Sequence, residues 1–133
     1  GFNVLIYHGA SFHYYLNEVG KLRAANAKEN PAEIVKFLLQ KRHLAPTHTS
    51  NIYVPEAKED YLLIEKIPDF VICGDMHKTD SDNYNGVTII NSSCWQATTD
   101  YQIKGGYKND PGKVVLANLK TREIKVIKFT KEE

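Results

Sequence analysis

Potential metal ligands follow two apolar runs of the sequence, and each lies beside a glycine. His8 follows the apolar residues 2–7, and Asp75 and His77 follow the apolar residues 70–73. In layered α/β proteins, ligands gather at the carboxyl ends of strands, where the loops converge. Glycine lets the backbone turn sharply there, so that neighbouring side chains can converge on one centre. These three polar residues are therefore candidates for one functional site.

Asp75 and His77 are two positions apart, which would place their side chains on the same side of an extended segment. A carboxylate with an imidazole suits Mn, Fe or Zn, whereas a dedicated Mg or Ca site prefers oxygen ligands alone. A histidine at a strand end is more often a hydrogen-bonded loop residue than a ligand. The spacing alone leaves both interpretations open.

Two further residues are candidates for contact with nucleic acid. His48 lies in the polar segment 46–60 and could face a substrate, and the indole of Trp95 could stack on a base. Aromatic residues at such positions more often belong to the core or its rim, so this alternative also stays open. His13 and His43 are interpreted as helix residues outside the site, because His43 suits the negative pole of a helix end.

The candidate ligands need strands and helices to hold them, and local signals predict the first of these. The mostly apolar residues 2–7 predict a buried strand. Ser11 is expected to cap a short helix that stops at Gly20, and residues 20–29 are expected to form a loop because they are small and polar.

A second helix has the clearest signals of its two ends. Asn30 is the expected N-cap, Pro31 the first helical residue, and Glu33 completes the pattern three residues after the cap. Basic residues at 41–43 suit its C-terminal end, and residues 46–60 are expected to be an irregular loop.

The residues from 70 onwards are predicted to form strands and turns. Residues 70–73 predict a compact strand, residues 78–86 a polar turn region closed by Asn85-Gly86, and residues 87–90 another strand. Residues 114–119 and 124–129 are expected to pair as a hairpin. This order of elements predicts an α/β layered domain.

Composition excludes several classes of function. The 133 residues carry a net charge of +1, which excludes a strongly basic coat for nucleic acid but leaves room for a local patch. No apolar run approaches the roughly 20 residues of a membrane span, and residues 1–6 lack the basic region and cleavage site of a signal peptide, so we expect no membrane partner. Two cysteines are too few for a disulfide framework and favour a reducing, cytoplasmic setting.

Sequence motifs narrow the function further. The chain has no Walker loop, dinucleotide fingerprint, nucleophile elbow or zinc-finger spacing. It also opens without Met inside an apolar run, which we interpret as the C-terminal part of a longer protein.

Five segments spread over nearly the whole chain are the most specific part of the sequence: Tyr7-His8-Gly9, Lys41 to Thr47, Glu59 to Leu62, Ile67 to Phe70, and Ile90-Asn91-Ser92 through Trp95-Gln96. In this order they resemble the small subunit of archaeal family D DNA polymerases, which belongs to the calcineurin-like metallophosphoesterases. The resemblance implies a layered α/β/β/α metallophosphoesterase fold, of which residues 1–133 would be the C-terminal portion.

The resemblance also implies ligands for two divalent metals, with Mn²⁺ expected. The family uses five motifs, and the first three have no counterpart in this sequence. His8 matches the fourth motif, and residues 74–77 match the fifth except that Asp75 stands where a histidine is expected. By resemblance, His8 and Asp75 would hold one metal and His77 the other, with His8 and His77 as the catalytic pair. The substitution at position 75 puts metal affinity and preference in doubt.

The activity implied is a 3′→5′ exonuclease that proofreads during DNA replication. Its partners would be the large catalytic polymerase subunit and a DNA 3′ end, at the nucleoid. The alternative is a non-catalytic scaffold that stabilises the large subunit, which Asp75 favours a little. Because the early motifs are missing, we expect the isolated chain to be inactive even if its parent is active.

Overall fold

A computed structural model describes residues 1–53, 55 and 58–129. Along the described chain, strands and helices follow the order β1 (Val4–Tyr7), α1 (Phe12–Glu18), α2 (Gly20–Ala24), α3 (Ala32–Lys41), β2 (Phe70–Cys73), β3 (Asp80–Tyr84), β4 (Val87–Asn91), α4 (Asp100–Lys104), β5 (Lys113–Ala117) and β6 (Ile124–Lys128). None of the helices among these residues is long and apolar enough to cross a membrane.

The first four strands form one mixed sheet in the order β1-β2-β4-β3. β1, β2 and β4 are parallel, and their last residues lie side by side, because Tyr7 pairs with Cys73 and Cys73 with Asn91. β3 joins the edge antiparallel to β4. The loops that follow Tyr7, Cys73 and Asn91 therefore meet at one edge of the sheet, as the sequence predicted. The α/β class is confirmed, while the α/β/β/α phosphoesterase layering stays a prediction.

Helices α1 and α3 supply most of the core that backs this sheet. The buried side chains are apolar and recur at helical spacing, and they meet buried strand residues of β2 and β4. The cluster includes Phe12, Tyr15, Leu16, Ile34, Val35, Leu38, Val71 and Ile89. Strand β2 is confirmed at its predicted bounds, and so is the loop character of the described part of 46–60.

The start of α3 differs from its prediction by one residue. The helix begins at Ala32, with Pro31 at the N-cap, and the Asn30 side chain instead donates to the carbonyl of Asn26. The N–H of Ala32, which has no acceptor within the helix, donates to Asp80 Oδ2 at 2.9 Å. A carboxylate from β3 therefore caps the helix, which is a contact that no local sequence pattern contains.

Strand β1 was predicted to be buried, and that prediction is wrong. Val4 and Ile6 are 49% and 75% exposed, whereas Leu5 and Tyr7 pack against the core. β1 lies at the edge of the sheet, and alternate side chains of a strand point to opposite faces. Only one of its two faces therefore contacts the helices.

Two predicted loops contain regular structure. Residues 20–29 include α2, which Gly20 begins, whereas α1 already ends at Glu18 and not at Gly20. Residues 78–86 include β3, a strand of polar residues that pairs with β4 across the turn at Asn85-Gly86. Hydrophobic periodicity does not predict a polar strand, because backbone pairing and not burial stabilises it.

The predicted C-terminal hairpin is confirmed as the antiparallel pair of β5 and β6, with slightly different bounds. Arg122 in its connection is stacked 4.8 Å from the Phe70 ring, and its Nη2 lies 2.7 Å from Asp69 Oδ1. The hairpin is therefore fastened to the start of β2.

Candidate functional site

His8 and Asp75 meet at the carboxyl ends of β1 and β2. His8 Nε2 lies 3.3 Å from Asp75 Oδ1, and the imidazole is largely exposed whereas the carboxylate is about a quarter exposed. The N–H of Gly74 donates to the carbonyl of His8 at 3.1 Å, which joins the two turns directly. The predicted convergence of these two side chains is therefore present in the structure.

Gly9 makes this approach possible. Its φ is +111°, and a Cβ at this position would lie 3.1 Å from the Cβ of Asp75 and 3.1 Å from the ring of Phe12. Phe12 is fully buried, so it has no room to move. A side chain at position 9 would therefore push against the Asp75 side chain and the Phe12 ring.

His13 faces the other side of the Asp75 carboxylate, which sequence reasoning missed. Its Nε2 lies 3.6 Å from Asp75 Oδ2, and its Nδ1 lies 3.3 Å from the hydroxyl of Tyr107. Lys28 packs 4.0 Å above the Tyr107 ring. His13 belongs to α1, so only the packing of that helix beside β2 reveals its place near Asp75.

His77 has different neighbours from the other two predicted ligands. Its Nδ1 lies 3.3 Å from Gln102 Nε2, and its carbonyl accepts from the N–H of Asp110. The expected extended geometry is wrong, because Asp75 and His77 have φ values of +66° and +53°. Left-handed residues turn the chain, so spacing two apart no longer places side chains on the same side.

The described residues contain no group of three or more His, Cys, Asp or Glu side chains that could hold a metal ion. The donor types at His8 and Asp75, an imidazole nitrogen and carboxylate oxygens, do suit Mn, Fe or Zn. The ligand atoms of His8 and Asp75 are therefore of a type that suits a divalent metal, but they are too few to complete its coordination.

His48 and Trp95 lie in separate places. The ring of His48 packs 4.7 Å from that of Tyr53, beside a groove of about 570 Å³ that Asn51 and Tyr61 also line. Trp95 is largely exposed, 6.1 Å from the ring of Phe129. Both rings are accessible to a ligand, and their contact with DNA stays a prediction.

The His48 loop is anchored close to the candidate site. The Tyr15 hydroxyl, which is buried, donates to Ser50 Oγ at 2.8 Å and accepts from the N–H of Thr47 at 3.0 Å. Asn51 Nδ2 lies 3.4 Å from the hydroxyl of Tyr7, the residue before His8. The loop is thus held against the end of β1 without regular structure of its own.

His43 is a structural residue outside the site as predicted, but it lies beyond the end of α3 and is not a helix residue. Its Nε2 lies 2.8 Å from Asp60 Oδ2, and its Nδ1 accepts from the N–H of Ala45. The hydrogen bond from His43 holds the pKa of the Asp60 carboxyl below its usual value. Both ring nitrogens are engaged, so this imidazole is unavailable to a ligand.

Neither cysteine is suited to nucleophilic chemistry. Burial raises the pKa of the Cys73 thiol to about 12 and also raises the pKa of Cys94. A thiol with a raised pKa carries little of the reactive thiolate at neutral pH.

Comparison with known proteins shows similarity to one kind of polymerase subunit. The DNA polymerase II small subunit of Archaeoglobus fulgidus is 36% identical over 116 residues, which are 87% of this chain and 23% of the relative. That of Thermoplasma acidophilum is 35% identical over 129 residues, 97% of this chain and 26% of the relative. That of Halobacterium salinarum is 32% identical over 132 residues, 98% of this chain and 25% of the relative.

The chain is homologous to the small subunit of archaeal DNA polymerase II. The resemblance to a polymerase small subunit is confirmed over most of the chain. The chain spans about a quarter of the length of these three polymerase subunits. No family model matches the chain.

Proposed function

We propose that this chain is the C-terminal portion of a metallophosphoesterase domain in a DNA polymerase small subunit that acts as a 3′→5′ exonuclease. The observation that carries the proposal is the approach of His8 to Asp75, at 3.3 Å, at the ends of adjacent parallel strands. In open α/β sheets, ligands bind at the carboxyl ends of the strands, and this contact lies there.

The proposed enzyme uses two divalent metals, with Mn²⁺ preferred. His8 and Asp75 would contribute to one metal and His77 to the other, with further ligands from outside this chain. When bound, such a metal pair supplies Lewis acidity toward a phosphodiester and a more acidic water. The chain's own contribution is a carboxylate that is three-quarters screened from solvent and held by its neighbours, ready to offer oxygen donors.

Two exposed rings are proposed to contact the DNA 3′ end. His48 lies on the loop that Asn51 joins to Tyr7, directly before His8, so a strand bound there would be close to the candidate ligands. Trp95 follows β4 and offers an open indole face. Stacking of a base on an aromatic ring is worth about 1–3 kcal/mol and tolerates any sequence.

The proposed protein partner is the large catalytic subunit of the polymerase, in a heterodimer at the nucleoid. The name of the homologous small subunits implies a larger companion. Exposed apolar residues on β1, Val4 and Ile6, offer surface that a protein contact could bury.

A second candidate function is a non-catalytic scaffold for the large subunit. It is favoured by Asp75, which stands at the position of an expected histidine, and by the absence of a complete ligand group among the described residues. In that case the His8–Asp75 contact would only fasten the two strand ends together.

The test is a nuclease assay on the complete polypeptide that carries this chain, beside the chain alone. Each is incubated with Mn²⁺ and a 5′-labelled single strand. We expect stepwise shortening by the complete polypeptide, none with a chelator present, and none by residues 1–133 alone. A complete polypeptide that leaves the strand intact yet stabilises the large subunit would support the scaffold function instead.

A further inference from the structure

Gln102 joins a helix cap to the ring of His77. Its side-chain Oε1 accepts from the backbone N–H of Thr99 at 3.0 Å, and its backbone N–H donates to Thr99 Oγ1. The two residues therefore form a capping box at the start of α4. Asn109 Nδ2 donates to the same Oε1 at 3.0 Å. The opposite end of the amide, Nε2, lies 3.3 Å from His77 Nδ1.

The orientation of the Gln102 amide is determined by its partners. A backbone N–H can only donate, so the atom facing Thr99 must be the amide oxygen. Asn109 independently presents a donor to the same atom, because its Nδ2 also lies 3.4 Å from the carbonyl of Gln96. The NH₂ group of Gln102 therefore faces His77.

This orientation determines which nitrogen of His77 carries the proton. A neutral imidazole has one N–H and one lone pair, and an amide NH₂ can only donate. His77 Nδ1 must then accept, which leaves the proton on Nε2. A histidine that binds a metal through Nε2 needs the opposite tautomer, with Nδ1–H donated to a carboxylate or carbonyl.

We propose that Gln102 is a positioning residue that holds His77 as the Nε2–H tautomer. His77 Nε2–H is then a hydrogen-bond donor in the metal-free protein. Metal binding through Nε2 would move the proton to Nδ1, so Nδ1 would lose its contact with Gln102 and need another partner. The position of the proton follows from the contacts of Gln102 alone, whereas the consequence for metal affinity rests on the proposed function.

The substitution Gln102→Glu tests the proton position with little change elsewhere. Glutamate is equally suited to the third position of a capping box, so α4 should keep its start. Its carboxylate accepts but cannot donate, so His77 should move its proton to Nδ1. The matched control is Gln96→Glu, which adds the same charge on the same segment at an exposed residue whose side chain makes no hydrogen bond to His77 or to any other described residue.

The measurement is the two-bond ¹⁵N–¹H spectrum of histidine-labelled chain at about pH 8, where an unperturbed imidazole is neutral. We expect the Nε2–H pattern for His77 in the wild type and in the Gln96→Glu variant, and the Nδ1–H pattern in the Gln102→Glu variant. An Nδ1–H pattern in the wild type, or an unchanged pattern in Gln102→Glu, would overturn the proposal.

Mn²⁺ titration of the complete polypeptide, followed by the paramagnetic resonance signal of free Mn²⁺, tests the consequence for metal affinity separately from the proton position. Outer partners of metal-bound histidines change affinity by about 10–100-fold. We therefore expect Gln102→Glu to bind Mn²⁺ at least about tenfold more tightly than the wild type and Gln96→Glu. If the tautomer changes but the affinity does not, Gln102 positions the ring as proposed and His77 is not a metal ligand.

Discussion

Replacing Gly9 by alanine should disturb the candidate site and the fold together. The glycine has a φ of +111°, a conformation that residues with a Cβ rarely adopt, and its added Cβ would lie 3.1 Å from both the Asp75 Cβ and the Phe12 ring. Backbone strain of this kind costs about 1–3 kcal/mol, before any cost of the close contacts. We therefore expect the free energy of unfolding to fall by at least about 1–3 kcal/mol.

The neighbouring glycine provides a matched control. A Cβ on Gly74 would meet nothing nearer than the carbonyl oxygen of His8, at 3.8 Å, and this glycine has no positive φ. Gly74→Ala should therefore stay within about 0.5 kcal/mol of the wild type, as substitutions without a specific clash usually do. Urea unfolding followed by circular dichroism measures both variants. Equal stability of Gly9→Ala and wild type, or an equal loss in Gly74→Ala, would refute this account of the two turns.

Three further predictions concern single side chains. Cys73, with a pKa near 12, should react with a thiol reagent at pH 8 far more slowly than the partly exposed Cys94, and unfolding in urea should abolish the difference. A hydrogen bond from Lys36 lowers the folded pKa of Asp82 below its usual 3.8, so its contribution to stability is present above that pH and is lost as the pH falls through the folded pKa. Asp82→Asn should consequently show a smaller loss of unfolding free energy between pH 5 and 2 than the wild type. Asp75→His in the complete polypeptide should preserve or raise nuclease activity, favour Mn²⁺ over Mg²⁺ and weaken binding near pH 6, and identical titration curves would remove Asp75 from the ligands.

Local sequence signals predicted the elements whose determinants are local. Pro31 and the charges around it indicated α3, Asn85-Gly86 indicated a tight turn, and the apolar residues 70–73 indicated β2. The local signals failed where a contact distant in sequence determines the start of a helix or the presence of a strand. Asp80 caps α3 from 48 residues away, and the polar strand β3 exists because β4 lies beside it.

The same distinction holds for the candidate site. His8 and Asp75 could be predicted to converge because both follow strands, and parallel strands bring their ends together. His13 could not be predicted, because its contact with Asp75 depends on how α1 packs. Gln102 carried a readable signal, since Thr99 and Gln102 have capping-box spacing, but its contact with His77 joins segments 25 residues apart.

The most direct test of the central claim compares exonuclease rates of the complete polypeptide with the wild-type sequence, His8→Ala, His77→Ala and the distant surface variant Lys120→Ala. Loss of a ligand should remove the metal-dependent activity of both histidine variants while they still assemble with the large subunit. Lys120→Ala, in the connection of the hairpin, should match the wild type in both respects. Cleavage at the wild-type rate by either histidine variant would contradict the claim that this residue forms part of a metal-dependent nuclease site.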